Sequence, residues 1–288
     1  MNHNLLSYAN LHLHSFHSDG MFRPMHLPRL AKSLGYSAVA LTDHETLSGL
    51  PEFMAEAAEC EIEALSGVEI FTHLDSAGDT IFHLVGLDFD PTHPAIVEFT
   101  DMLVQKRNEN TRALFDLALE RGIFKGITWE DVIAHNRYTD WIYCTQIYYA
   151  LDAMGIIPLY KRYETNDLAF HSPEAKKIQL YIPHMKDAIK AIKDAGGVAV
   201  LPHPREPAFP FLREMVDLGL NGIEISHPNI SENASKLAIR AAMEYNLYCS
   251  GGTDHTGPMS SFGGANARPV CNGISKTEFE ILKERRLG

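Results

Sequence analysis

Leu11-His12-Leu13-His14-Ser15-Phe16-His17-Ser18-Asp19-Gly20 places three histidines and an aspartate within eight residues, just after the mostly apolar start Tyr8-Ala9-Asn10-Leu11. If Tyr8 to His14 forms a β-strand, side chains two positions apart share a side. His12 and His14 then point together, while Leu11 and Leu13 point the other way into a core. Two imidazoles side by side at the end of a buried strand make the beginning of a transition-metal site. Taken alone, an H-x-H pattern is short and common, and solvent-facing histidines at a polar strand end explain it equally well. The rest of the chain decides between the two.

The chain has 288 residues, which suits one large domain or a domain with an insertion. Its 45% hydrophobic and 22% charged content is ordinary for a soluble globular protein. A net charge of -12 argues against a non-specific nucleic-acid surface or an anionic-membrane surface. It leaves room for a small phosphorylated substrate, because bound metal ions reverse the local sign. Cys60, Cys144, Cys249 and Cys271 lie far apart with no C-x-x-C pair. That spacing reads as reduced thiols of a cytosolic protein, not as a disulfide framework or a thiolate zinc site. The N-terminus has no basic region leading into an apolar run, and no stretch approaches the roughly 18 apolar residues of a membrane span. A soluble, cytoplasmic chain without membrane contact is the expectation.

Outward from the opening motif, strands and helices alternate. Pro28 to Gly35 predicts a helix stopped by its glycine. Ser37 to Leu41 predicts a strand running into Thr42-Asp43-His44, and Leu50 to Cys60 a second helix. Strands follow at Glu63–Phe71 and Thr80–Asp88. This alternation argues for an α/β sheet with parallel pairing. From Pro94 to about Pro183 the pattern turns helical and more charged. Ile96–Arg121 reads as one long amphipathic helix, Thr128 with Asp131 as an N-capping start, and Tyr138–Met154 as an apolar, aromatic helix. Alternation resumes with helices at His184–Ala195, Phe211–Leu218 and Ser231–Tyr245, and strands at Gly196–Leu201, Gly222–Ser226 and Tyr248–Gly251. The division predicted is therefore 1–93 with 183–288 as one α/β domain, and 94–182 as a mostly helical insertion.

One regularity ties these elements to chemistry. His12 and His14, His44, Glu69, His203, His227 and Asp254 all fall at the C-terminal end of a predicted strand, with His83 inside one. In parallel α/β barrels that end carries the active site. Singly, each residue has an ordinary explanation: a helix cap for Asp43-His44, a core hydrogen bond for His83, a stiff turn for Pro202-His203-Pro204, a turn aspartate for Asp254. A buried Glu69 would need a cation, since an unpaired carboxylate in an apolar setting is costly. Together they supply nitrogen and oxygen ligands without cysteine. That donor set favours two or three divalent ions such as Zn, Mn or Fe, with Glu69 or Asp254 able to bridge.

The ordered series His12-x-His14 with Ser18-Asp19-Gly20, Thr42-Asp43-His44, Gly67-Val68-Glu69, His83-Leu-Val-Gly86, Pro202-His203-Pro204 and Gly251-Gly-Thr-Asp254 resembles the PHP (polymerase and histidinol phosphatase) family. That family comprises metallo-phosphoesterases related to amidohydrolases. The resemblance covers residues 8–90 and 183–257. It implies a distorted (β/α)7 barrel with a two- or three-metal site. The helical insertion resembles that of stand-alone members which hydrolyse phosphomonoesters, nucleotide phosphatases among them. Carried over, the resemblance implies one metal on His12, His14, Glu69 and Asp254, and a second on Glu69, His83 and His203. A third would take Asp19, His44 and a histidine two residues after the last aspartate. Position 256 is Thr256, with His255 one place early, so the third site departs from the pattern. His17 is an additional histidine nearby.

The chemistry expected is hydrolysis of a phosphomonoester by attack of a metal-bridging hydroxide on phosphorus. Arg205, and more weakly Arg137, are candidates to neutralise the phosphate. His227 and His255 are candidates to protonate the leaving oxygen. Asn166-Asp167-Leu168-Ala169-Phe170 stands where related stand-alone members often carry a Gly-Lys-Pro-Ala-Tyr-like segment, so an acid replaces a base. Two other functions compete: a nuclease acting on nucleic-acid ends, disfavoured by the acidic balance, and a non-catalytic metal-binding regulator.

Overall fold

Residues 7–178, 180–257 and 272–285 are described by the computed structural model, the Arg285 side chain excepted. Cys271 lies outside them. In chain order the elements are β1 (Ala9–Asn10), α1 (His26–Ser33), β2 (Ala38–Ala40), α2 (Leu50–Glu59), β3 (Glu63–Leu65), β4 (Gly67–His73), β5 (Ile81–Leu87), α3 (Pro94–Glu120), α4 (Trp129–His135), α5 (Cys144–Ala153), α6 (Arg162–Phe170), α7 (Met185–Asp194), β6 (Val198–Leu201), α8 (Leu212–Asp217), β7 (Gly222–Ser226), α9 (Glu232–Tyr245), β8 (Tyr248–Gly251) and α10 (Lys276–Arg285). The result is an α/β fold.

The strands form two sheets, β1-β2-β3 and β4-β5-β6-β7-β8. Pairing is parallel within the first sheet and along β6-β7-β8. β5 breaks the expected parallel pattern, running antiparallel to both β4 and β6. The cause is local: only residues 74–80 join β4 to β5, and a parallel return needs a crossover of a dozen residues or more. At the margins of the sheets, ladder-like backbone bonds continue. Glu69 N–H donates to the Asp43 carbonyl (3.1 Å) and Glu45 N–H to the Glu69 carbonyl (2.8 Å). Beyond β8, Leu11 N–H donates to the Gly251 carbonyl (3.0 Å) and Asp254 N–H to the His12 carbonyl (2.9 Å).

The chain divides into two compact units, residues 1–100 with 182–288, and residues 101–181. In the first, Ala9, Leu11, Ala40, Val85, Leu87 and Val200 meet Phe279 and Leu282 of α10 in one apolar core. The second has its own core, in which Phe115, Phe124, Ile147, Tyr148, Leu151 and Phe170 are buried. Thr128 and Asp131 form the expected capping box at α4. Helix α5 is shorter than the apolar run suggested, beginning at Cys144. Tyr143 is extended (φ -134°, ψ -172°). Side chains satisfy the backbone before the helix: Asn108 Oδ1 accepts the Ile142 N–H (2.7 Å) and Gln146 Oε1 the Tyr143 N–H (3.1 Å). No helix among the described residues is long and apolar enough to cross a membrane.

Candidate metal centre

The extended run beyond β1 does what a period of two requires. Leu11 and Leu13 are buried in apolar surroundings, and His12 and His14 converge, their Nε2 atoms 3.1 Å apart. Two carboxylates close on the pair. Glu69 Oε2 lies 3.4 Å from His12 Nε2 and 3.2 Å from His14 Nε2, while Asp254 Oδ1 lies 3.8 and 3.2 Å from the same atoms. Ligand atoms about 2.1 Å from a tetrahedral ion stand about 3.4 Å from one another, so the four donors have the spacing of a coordination shell.

Glu69 faces two ways. Its Oε1 lies 2.8 Å from His83 Nδ1 and 3.0 Å from His203 Nε2, whereas Oε2 faces His12, His14 and His44 Nδ1 (3.4 Å). Reversal of β5 explains His83. Because that strand runs backward, its first residues lie at the end where the parallel strands finish, and His83 pairs in register with Phe71 two residues beyond Glu69. The mid-strand histidine thus joins His203, which follows β6, and Glu69, which lies within β4 and not at a strand end as expected. Asp19 Oδ1 lies 3.5 Å from His14 Nδ1, and Asp19 Oδ2 3.8 Å from His44 Nε2. His17 is buried with its ring against Phe16, and Thr256 accepts the Met21 N–H through its carbonyl.

Burial and charge oppose each other throughout. Burial alone would pull His12 and His14 down, but Glu224 and Glu69 around His12, and Asp19, Asp254 and Glu69 around His14, hold both well above the ordinary histidine range. Burial would raise Glu69, yet His12, His83 and His44 hold it well below the usual carboxylate range. Asp254 is held low in the same way by His14, His227 and His12. For His44 burial prevails and lowers it well below the ordinary value. Burial pushes Asp19 up to about 6 against the pull of His14. Asp19 Oδ1 is buried and makes no hydrogen bond, and the buried His227 Nε2 has Asp254 Oδ2 only at 3.5 Å. Buried polar atoms ordinarily have a partner. An imidazole–carboxylate cluster with such atoms, and without sulfur, has the donor chemistry of a divalent-ion site.

Backbone strain collects at the same place. His203 (φ 31°) and Asp254 (φ 49°) occupy left-handed conformations that non-glycine residues rarely adopt. Gly252 permits the approach behind Asp254, because a Cβ there would sit 2.4 Å from the His12 Cβ.

Other predicted residues land differently. His227 follows β7, its ring centroid 5.6 Å from that of His12 and 5.1 Å from that of His203. His255 turns away: its ring stacks on Phe22, and it lines a small cavity with Leu13, Leu27, Leu34 and Tyr36. The chain turns between the two side chains, since Asp254 has φ 49°. Arg205 is exposed and starts the short helical turn Glu206–Phe211. Arg137 belongs to the 101–181 unit, where it is exposed and donates to the Tyr138 hydroxyl (2.7 Å).

Two carboxylates have roles at the site that the sequence does not suggest, Asp43 reading there as part of a helix cap. Asp43 accepts from the Ser15 N–H (2.7 Å), the Ser15 hydroxyl (2.6 Å) and the Ser18 hydroxyl (2.6 Å), so it holds the loop that carries Asp19. Glu224 lies within β7, 2.9 Å from His12 Nδ1. A carboxylate set between Ile223 and Ile225 in a buried strand was the available signal, since it needs a partner.

The PHP domain model matches residues 10–196. A 5'-3' exoribonuclease from Haemophilus influenzae is 29% identical, over 85% of this chain and 88% of its own length. A 3',5'-nucleoside bisphosphate phosphatase from Chromobacterium violaceum is 30% identical, over 96% of this chain and 99% of its own. Among solved structures, a candidate metal-dependent phosphoesterase from Bifidobacterium adolescentis aligns with a TM-score of 0.79 and 25% identity, covering 96% of each chain.

Proposed function

This chain belongs to the PHP domain family, and from that premise we propose that it is a metal-dependent phosphoesterase acting on a phosphomonoester of a small metabolite or nucleotide. The observation that carries the reading is Glu69, whose two oxygens face two different histidine groups in the manner of a bridging ligand. His12, His14, Glu69 and Asp254 would hold one divalent ion, and Glu69, His83 and His203 a second, with Zn, Mn or Fe suited to the donors. Asp19 and His44 would contribute to a third. Ions held there would activate water and neutralise phosphoryl oxygens. His227 accepts the Asn229 N–H at Nδ1 (3.0 Å), which leaves its proton on Nε2, the atom facing Asp254. That proton is the one available to a departing alkoxide. Arg205, two residues after His203, is the candidate for binding phosphate.

The bonds from β8 to the start of the chain, and from β2 to β4, support reading the strands as one distorted (β/α)7 barrel in which β3 and β4 count as a single strand. Residues 94–182 would then form a mostly helical insertion. A second reading has one specific observation behind it, the likeness to an exoribonuclease over 88% of that protein. It makes the substrate a phosphodiester at an RNA 5' end.

Purified protein reconstituted with Mn(II) should release inorganic phosphate from nucleoside 3',5'-bisphosphates, and chelation should abolish the release. Mononucleotides released from 5'-phosphorylated oligoribonucleotides, without free phosphate, would establish the second reading instead. Bound metal with no hydrolysis of either class would defeat both and leave the regulator.

A further inference from the structure

We propose that Glu224 is a positioning residue that orients His12 and His203 together, and so ties the two ion-binding groups to one another. The inference rests on the metal-centre reading above. Glu224 is fully buried in β7, with Ile223 and Ile225 alternating to the other side. Register between β7 and β8 shifts between Glu224 and Ser226, an irregularity that re-aims a side chain. The carboxylate uses both oxygens. His12 Nδ1–H donates to Oε1 at 2.9 Å, and the His203 backbone N–H donates to Oε2 at 2.6 Å.

Each bond settles something the ligands leave open. An imidazole has two nitrogens, and the one that carries hydrogen is set by its outer partner. With Nδ1–H committed to Glu224, His12 presents Nε2 to His14, Glu69 and Asp254. His203 stands between Pro202 and Pro204, neither of which has an N–H, so its own amide is the sole backbone donor of the tripeptide. Glu224 takes that donor and thereby holds a ligand whose backbone is left-handed at φ 31°. His12 stands with His14 and Asp254 in one ligand-spaced group and with Glu69 and His203 in a second, where His203 Nε2 lies 3.0 Å from Glu69 Oε1. One carboxylate therefore sets the direction of one ligand in each group.

Glu224→Gln keeps the shape and breaks the pattern. An amide offers one acceptor and one donor where two donors must be received. If its oxygen keeps the His203 N–H, its NH2 meets His12 Nδ1 and drives the histidine proton to Nε2, the atom that faces the cluster. The test is Mn(II) binding to the full chain by equilibrium dialysis, with folding checked by circular dichroism. A second measurement is the proton NMR spectrum of the zinc-loaded protein in the downfield imidazole N–H region. Glu224→Gln should fold as the wild type does, bind Mn(II) about 10- to 100-fold more weakly, and lose one downfield resonance. Affinity within twofold of the wild type, or an unchanged resonance, would overturn the proposal. Should that variant fail to fold, Glu224→Asp keeps both acceptors one methylene short, and wild-type affinity there would overturn it equally. Wild-type protein that binds Mn(II) but cleaves no phosphoester sinks the enzymatic function and leaves this inference standing; wild-type protein that binds no ion sinks both.

Discussion

The apolar core of residues 101–181 and the cluster at the strand ends of the other unit bury groups of opposite kinds. In residues 101–181 the main hydrophobic cluster is aromatic and aliphatic: Phe115, Phe124, Tyr148 and Leu151 are buried in it, with Phe124 edge-on to Tyr148 at 5.9 Å. Such a core gains from each apolar group removed from water, so losses there are graded. At the end of the strands in the other unit, His12, His14, His44, Glu69 and Glu224 are buried side by side. These groups gain nothing from leaving water. His12, His14, Glu69 and Glu224 are tolerated because their neighbours carry the opposite charge, and removing one strands the rest. An apolar interior degrades by steps, whereas a cluster of this kind fails as a unit.

That contrast can be broken by experiment, beginning with the largest effect. Glu69→Ala removes the carboxylate that faces His12, His14, His44, His83 and His203, and should abolish both metal binding and turnover. Metal analysis and phosphate release check this, and retained stoichiometry would show that the cluster is not the centre. Phe124→Ala should cost about 3–5 kcal/mol of the stability of the helical unit. Both tryptophans, Trp129 and Trp141, lie in that unit, so their fluorescence follows its unfolding. The metal content of this variant should not change; if it falls, the two interiors are one cooperative structure and the contrast is wrong. Asp43→Asn leaves the ligands in place but spoils the acceptor for three donors. A metal affinity lower by about 10- to 100-fold is expected, measured by chelator competition. The smallest effect belongs to Thr128→Ala, which removes the cap of α4 and should lower stability by about 1 kcal/mol, with no change in metal binding.

Local rules made much of this legible. Two-residue alternation brings His12 and His14 to one side, and the capping box at Thr128 and Asp131 is written in four consecutive residues. Such alternation stops at Asp254, which is left-handed, and His255 after it faces Phe22 and α1. Apolar content alone was a poorer guide at Tyr138–Tyr143, where side chains of distant residues satisfy the backbone and helix α5 starts late.

From sequence alone follow the α/β alternation, the two helix-rich and strand-rich regions, and a set of histidines and carboxylates gathered at strand ends. These depend on spacing within a few residues, and spacing is what a linear chain records. Only the folded chain decides that β5 runs backward and carries His83 to Glu69, that Asp43 holds the loop of Asp19, and that Glu224 reaches both His12 and His203. Those relations join residues from 14 to 212 positions apart. They are fixed by strand direction and by which buried charge finds which partner, and neither is encoded in a local pattern.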